Sequence, residues 1–342
     1  MDDNSVNFIE TQFNLQYPTP FAISNVDIIH VRLSNFQNCF YQQRGGVFKL
    51  QNTTLYDEGS IFSFNQAMSG GAVYCEKCHA IFNKTQFTNN FAQNGGSISV
   101  NGSSNIKFFQ NLVQNTFAYN NGGFINVFTQ NLEQEQAQTQ SRILKNYIIP
   151  NITISENKNL EENNLLQNER ENRAFYRQLN TLEILSLLQI TQQSQIRQTY
   201  AYNNGGAIYV DSNDLNVEID DLFQQSSRSY KQMGGFIHSE NSRSISIAHS
   251  NFTQYQSASG SFLASVGVDT GILISNSRFD KNKEFIVPGE SEYSQLSQQD
   301  SFGTIYVSNA ESLLLMNNQF YNNYYSKILD QPIEIVLLIW EE

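Results

Sequence analysis

Few residues in this 342-residue chain have types and spacing that could do chemistry. Asp220-Asp221 is an interior acidic pair, and a polysaccharide hydrolase works with two carboxylates several ångströms apart, one as acid and one as base. On a strand, adjacent side chains point to opposite faces, so these two cannot simply cooperate. A lyase would want a calcium-binding acidic cluster with a Lys or Arg base beside it, and no acidic cluster repeats on one face. Cys75-Glu76-Lys77-Cys78-His79 has the C-x-x-C-H spacing of c-type haem attachment, and as a zinc site it offers three ligands at most. It occurs once, inside a strand repeat, so Cys75 and Cys78 read as a strand-end pair and a candidate local disulfide in an oxidising compartment. The four histidines, His30, His79, His238 and His249, fall at differing places in that repeat. No P-loop, dinucleotide fingerprint or nucleophile elbow is present. The residues therefore predict no catalytic group, no metal and no cofactor.

Composition narrows the classes further. The formal net charge is −12 with only 15% charged residues, which argues against a nucleic-acid partner because no basic patch offsets it. Aromatic residues at 13% supply enough surface to bury that a fully disordered chain is excluded. Asn (42) and Gln (33) are far above ordinary usage, which predicts many turns and many side-chain amides in need of partners.

The elements that must position all of this come from a repeat. Gly45-Gly46-Val47-Phe48-Lys49-Leu50 returns as Gly70-Gly71-Ala72-Val73-Tyr74-Cys75, Gly95-Gly96-Ser97-Ile98-Ser99-Val100 and Gly122-Gly123-Phe124-Ile125-Asn126-Val127. It returns again from Gly205 and Gly234, and in weaker copies from Gly260 and Phe302. The first four copies start 25, 25 and 27 residues apart. The fourth and sixth positions are mostly apolar and the fifth varies freely, which is the period-two pattern of a strand with one buried face. Segments such as Val26 to Leu33 and Ser244 to Ala248 alternate in the same way. A unit of ~25 residues built from two or three short strands cannot bury its own apolar face, whereas stacking like units as coils can. Asn residues just before the glycines should then form amide ladders up the stack. The predicted fold is all-β, a right-handed parallel β-helix of roughly 10–11 coils forming one domain over 1–342.

The glycine phrases, of the type GGA[ILV], combine with F-x-x-N at Phe87–Asn90, Phe279–Asn282 and Phe320–Asn323, and a variant at Leu112–Asn115. Together they resemble the repeats of chlamydial polymorphic outer-membrane proteins. The chain is also similar to the Asn/Gln-rich surface proteins of ciliates that carry pectin-lyase-like β-helix repeats. The resemblance covers about residues 20–130 and 180–330. It implies a β-helix and a surface role, with a membrane-associated or extracellular location as part of a longer protein. Many β-helices are carbohydrate-active, so a lyase or hydrolase is the alternative, and a glycan-binding module without turnover a further one. The polygalacturonase-like set of N-T-D, D-D, G-H-G and R-I-K is absent apart from the bare Asp220-Asp221.

Residues at the variable fifth position form a column that should face outward. Tyr74, Tyr209, His238 and Tyr306 are its candidate ligand strip, since aromatic faces stack on sugars and on protein surfaces. Residues 1–20, with Pro18 and Pro20, are a candidate N-terminal cap. Residues 129–181 read as a partly inserted loop with a short helix near 161–180, and 287–301 as a second loop. The N-terminus lacks a signal-peptide pattern, and no run reaches the ~18 apolar residues of a membrane span. Five N-x-[ST] sequons, at Asn52, Asn83, Asn101, Asn151 and Asn251, are compatible with secretion without requiring it. The apolar Ile335 to Trp340 resembles a core strand, which suggests a fragment of something longer or end-to-end self-association.

Overall fold

The computed structural model describes residues 4–14, 21–129, 186–257, 260–266, 270–284, 304–308 and 310–325. These belong to the unit formed by Met1–Thr129 and Leu185–Glu342. The other unit, Gln130–Ile184, includes the stretch where a short helix was expected and lies outside the described residues, as do 287–301 and the C-terminal apolar run.

Among the described residues the chain is all β, without helix, and its parallel strands stack as a solenoid of about eight turns. One turn shows the plan. Val73–Glu76, His79–Asn83, Gln86–Thr88 and Phe91–Asn94 follow each other around the turn, four strands rather than two or three. Each pairs with its equivalents in the turns before and after, so four columns run along the stack. The first two columns make up a 17-stranded sheet and the other two a 15-stranded sheet. The glycine phrases are in register throughout the first column: Phe48, Val73, Ile98, Ile125, Ile208, Ile237, Leu263 and Ile305 lie one above the other. The eight turns that begin with these residues carry strands in all four columns. Ser5–Ile9 and Ile28–Arg32 precede them in the second column, which therefore counts ten strands. Part of the segment expected as a cap, Ser5–Ile9 and Gln12–Asn14, thus already stands in the ladder.

Gly122 and Gly205 are 83 residues apart, yet the strands that follow them lie in consecutive turns. Ile125 pairs directly with Ile208, and Asn105–Phe109 pairs with Leu187 to Thr191.

Corners explain much of the Asn content. In the turn above, three corners have two residues, Lys77-Cys78, Lys84-Thr85 and Asn89-Asn90; the first has positive φ and the second is buried. The left-handed conformation costs most side chains about 1–2 kcal/mol and Asn least, and eight asparagines occupy such corners: Asn25, Asn38, Asn52, Asn89, Asn115, Asn276, Asn317 and Asn322. The buried second residue is typically Ser, Thr or Asn, and its oxygen accepts a backbone N–H from the previous turn. Asn65 N–H donates to Asn90 Oδ1 (3.0 Å), Thr85 N–H to Asn111 Oδ1 (2.7 Å) and Ser250 N–H to Ser277 Oγ (3.2 Å). The ladder before the glycines also joins side chain to backbone but runs in the opposite sense: the Asn204 N–H donates back to Asn121 Oδ1 of the preceding turn at 3.3 Å. The inner ladders therefore join side chain to backbone, and amide-to-amide bonds occur on exposed corners such as Asn52 to Asn25.

The fourth corner carries the glycine pair. Gly70 has φ +66° and Gly71 has no room for a side chain, since a Cβ there would run into the Gly96 carbonyl and lie 2.7 Å from that of Phe91. Inside, like residues stack: Phe36, Phe62 and Phe87 lie nearly parallel with ring centres 5.1 and 5.2 Å apart.

Candidate functional site

The fifth position of the glycine phrase lies on the face of the first column opposite the core, and the column is real. Tyr209 is in register with His238, His238 with Ala264 and Ala264 with Tyr306, while Tyr74 sits between Lys49 and Ser99. It is not exposed. Tyr74 is fully buried, Tyr209 and His238 are 7% and 3% accessible, and only Lys49 and Tyr306 remain half-buried. The expectation of an outward strip fails because the chain leading into each glycine pair folds over this face. The Arg44 guanidinium lies 4.9 Å from the centre of the Tyr74 ring, and Ser69 Oγ donates to Ser99 Oγ at 2.9 Å.

Within this covered layer the structure brings Tyr209, His238 and Glu240 together. The Tyr209 and His238 rings stack at 5.5 Å and 9°, and His238 Nε2 is 3.4 Å from Glu240 Oε1. Burial, with Glu240 and Asp211 nearby, pushes the Tyr209 phenol above its ordinary range. His238 holds the Glu240 carboxyl below its ordinary range, against the opposing effect of burial. Tyr74 and Tyr306 belong to other turns and do not join this cluster. Chemically it is a packed polar joint, because the faces of the two rings are spent on each other.

Asp220 and Asp221 separate. Asp220 ends its strand and its Oδ1 meets His249 Nδ1 of the next turn at 2.9 Å, while Asp221 turns the corner with φ 52°. The pairing continues along this exposed corner, from His249 Nε2 to Asn276 (3.4 Å) and from Asn276 to Asn317 (3.4 Å). Cys75 and Cys78 are joined by a disulfide across a corner, with Cα atoms 5.7 Å apart, and Cys39 is buried elsewhere. His79 starts the following strand, and burial, then Lys107, lowers it below its ordinary range. No group of three or more His, Cys, Asp or Glu is placed to hold a metal ion among the described residues.

No family model, curated protein or solved structure matches this chain.

What sequence reasoning missed lies in the fourth column. Phe91 stacks on Phe117 at 5.4 Å and Tyr119 on Tyr202 at 5.2 Å. Lys231 Nζ lies over Tyr202 at 4.8 Å, and Arg228 over Tyr230 at 4.4 Å. Apart from Phe91, which is buried, these side chains are half-buried, so the ladder shows ring edges and cations at the surface. The signal was in the sequence: Thr116-Phe117-Ala118-Tyr119-Asn120-Asn121 and Thr199-Tyr200-Ala201-Tyr202-Asn203-Asn204 align aromatic on aromatic.

Proposed function

We propose that this chain is a non-enzymatic structural or adhesion-type scaffold, part of a larger surface or extracellular protein. One observation carries the reading: side chains that would be offered to a ligand are committed to the neighbouring turn. Tyr209 is spent on His238, Asp220 on His249 and Asn90 on Asn65. A side chain fixed between turns stiffens the stack and contributes little to binding or turnover. The resemblance of the glycine phrases to pectin-lyase-like surface repeats supports the same reading. Among the described residues no helix is long and apolar enough to cross a membrane. Partners would be glycans, other surface proteins, or a second copy stacked end to end.

Incubating the purified chain with polygalacturonate and following unsaturated and reducing ends tests the non-enzymatic part. The reading predicts no turnover, and turnover lost on changing Asp220 or Asp221 would overturn it. The half-buried ladder of Tyr119, Tyr202 and Lys231 favours a second reading, a glycan-binding module, because ring edges beside a cation can meet an acidic sugar. Glycan-array binding that disappears in Tyr202→Ala would favour it.

A further inference from the structure

Asp57 occupies a core position. It lies in the second column directly between Val31 and Phe82, where other turns place Phe108, Ile190 and Ile219, and its side chain is fully buried. Its Oδ2 is hydrogen-bonded to Thr85 Oγ1, and its Oδ1 finds no hydrogen-bond partner among the described residues. Thr85 belongs to the corner ladder: its N–H donates to Asn111 Oδ1, and Asn111 Nδ2 donates to the Phe82 carbonyl at 2.9 Å. The carboxyl thus ties one turn to the polar ladder of the next from within an apolar core.

We propose that Asp57 is a proton-controlled joint that holds the turns beginning at Phe48 and Val73 tightly in acid and loosens them as the medium approaches neutrality. Neutral, the carboxyl needs only a short hydrogen-bond chain, with its O–H able to donate to Thr85 Oγ1. On ionisation the proton leaves to solvent, and a carboxylate with only Thr85 and Ser60 to offset its burial remains in an apolar site, which is unfavourable. The group responds alone on its side of the strand. The inward residues of the surrounding strands, Val31, Leu50, Phe62, Phe82 and Phe87, do not ionise, and Cys75 is in its disulfide. The neighbouring charged and titratable residues, His30, Arg32, Glu58 and His79, occupy the alternate, partly exposed positions of their strands, with Arg32 and Glu58 3.8 Å apart.

Burial raises the Asp57 carboxyl from 3.8 to about 7, against the lowering effect of Ser60 and Thr85. The folded form therefore binds the proton more tightly than the unfolded one. The stabilisation is complete below about 3.8, falls as pH rises, and is gone above about 7, with the local opening constant growing about tenfold per unit in between. His79, lowered by burial and Lys107, has the opposite sign, because it loses stability as pH falls below its ordinary range.

The test is hydrogen exchange of the full chain between pH 5 and 8, corrected for intrinsic exchange rates, read at the amides of Thr54–Glu58 and His79–Asn83. Wild type should lose protection as pH rises, and Asp57→Asn, which cannot ionise, should lose most of that slope. Asp57→Val, matching Val31 below it, gives the same comparison if the amide variant folds poorly. A wild-type profile flat with pH, or an equal slope in a folded variant, would overturn the proposal.

Discussion

Tyr209 lies flat against His238 one turn away, ring centres 5.5 Å apart and planes within 9° of parallel, on the side of the strand that faces away from the core. Both are nearly inaccessible, so this pair works as mortar between turns. Tyr209→Ala should cost about 3 kcal/mol, as removal of a buried aromatic does, with protection from hydrogen exchange lost first in Ile208–Asp220 and Ile237–Ala248. An unchanged melting temperature would mean that the rings only happen to be neighbours.

The same joint predicts a pH dependence. Glu240 is held below its ordinary range chiefly by His238, so its contribution is present above about 4.5 and is lost as pH falls through the lower folded value. Replacing His238 by Phe keeps a ring on Tyr209 and removes the larger of Glu240's two lowering partners, leaving Tyr209. The Glu240 titration, followed by carboxyl-carbon NMR, should then move upward. A Glu240 midpoint that stays where it was would show that His238 does not set it.

Burial on both faces of the first column changes what Asn126 should do. Ile125 is inaccessible and Asn126 only 4% accessible. Asn126→Asp should therefore cost more than about 1 kcal/mol at neutral pH, since it buries a charge in place of an amide. Thermal unfolding of this variant together with Ile125→Asp checks it; only Ile125→Asp would be sensitive if the fifth position faced solvent.

Asn90 stands at the centre of an inner ladder, accepting from Asn65 N–H and donating to the Phe62 carbonyl (3.0 Å) and Ser97 Oγ (3.1 Å). Asn90→Ala strands buried backbone groups and should cost roughly 1–3 kcal/mol for each one left unpaired. Denaturant unfolding measures it, and a loss below about 0.5 kcal/mol would mean that water or relaxation repairs the ladder.

How far the sequence carried this depends on the range of each signal. The glycine pairs and the alternation at Ile98 and Val100 are local, and they revealed the strands, the stacking and the first-column register. Two things were hidden. The cover over Tyr74 comes from Arg44, thirty residues earlier, so a position free to be Lys, Tyr, Ser or His looked solvent-facing when it is closed by distant chain. Asp57 was invisible as a core residue because alternation is read from apolar types, and a carboxylate at an inward position counts against the pattern. The fourth-column aromatics could have been found, since Phe117 and Tyr119 align with Tyr200 and Tyr202 in nearly identical phrases.

Proton contacts between Ile125 and Ile208 in the NMR spectrum of the labelled full chain test the stacking most directly. These residues are 83 positions apart and adjacent in the first column. Strong backbone contacts between them, repeated from Asn126 to Tyr209 and from Val127 to Val210, are predicted. Contacts from Ile125 to residues around Ile148 or Ile152, with none to Ile208, would contradict the account.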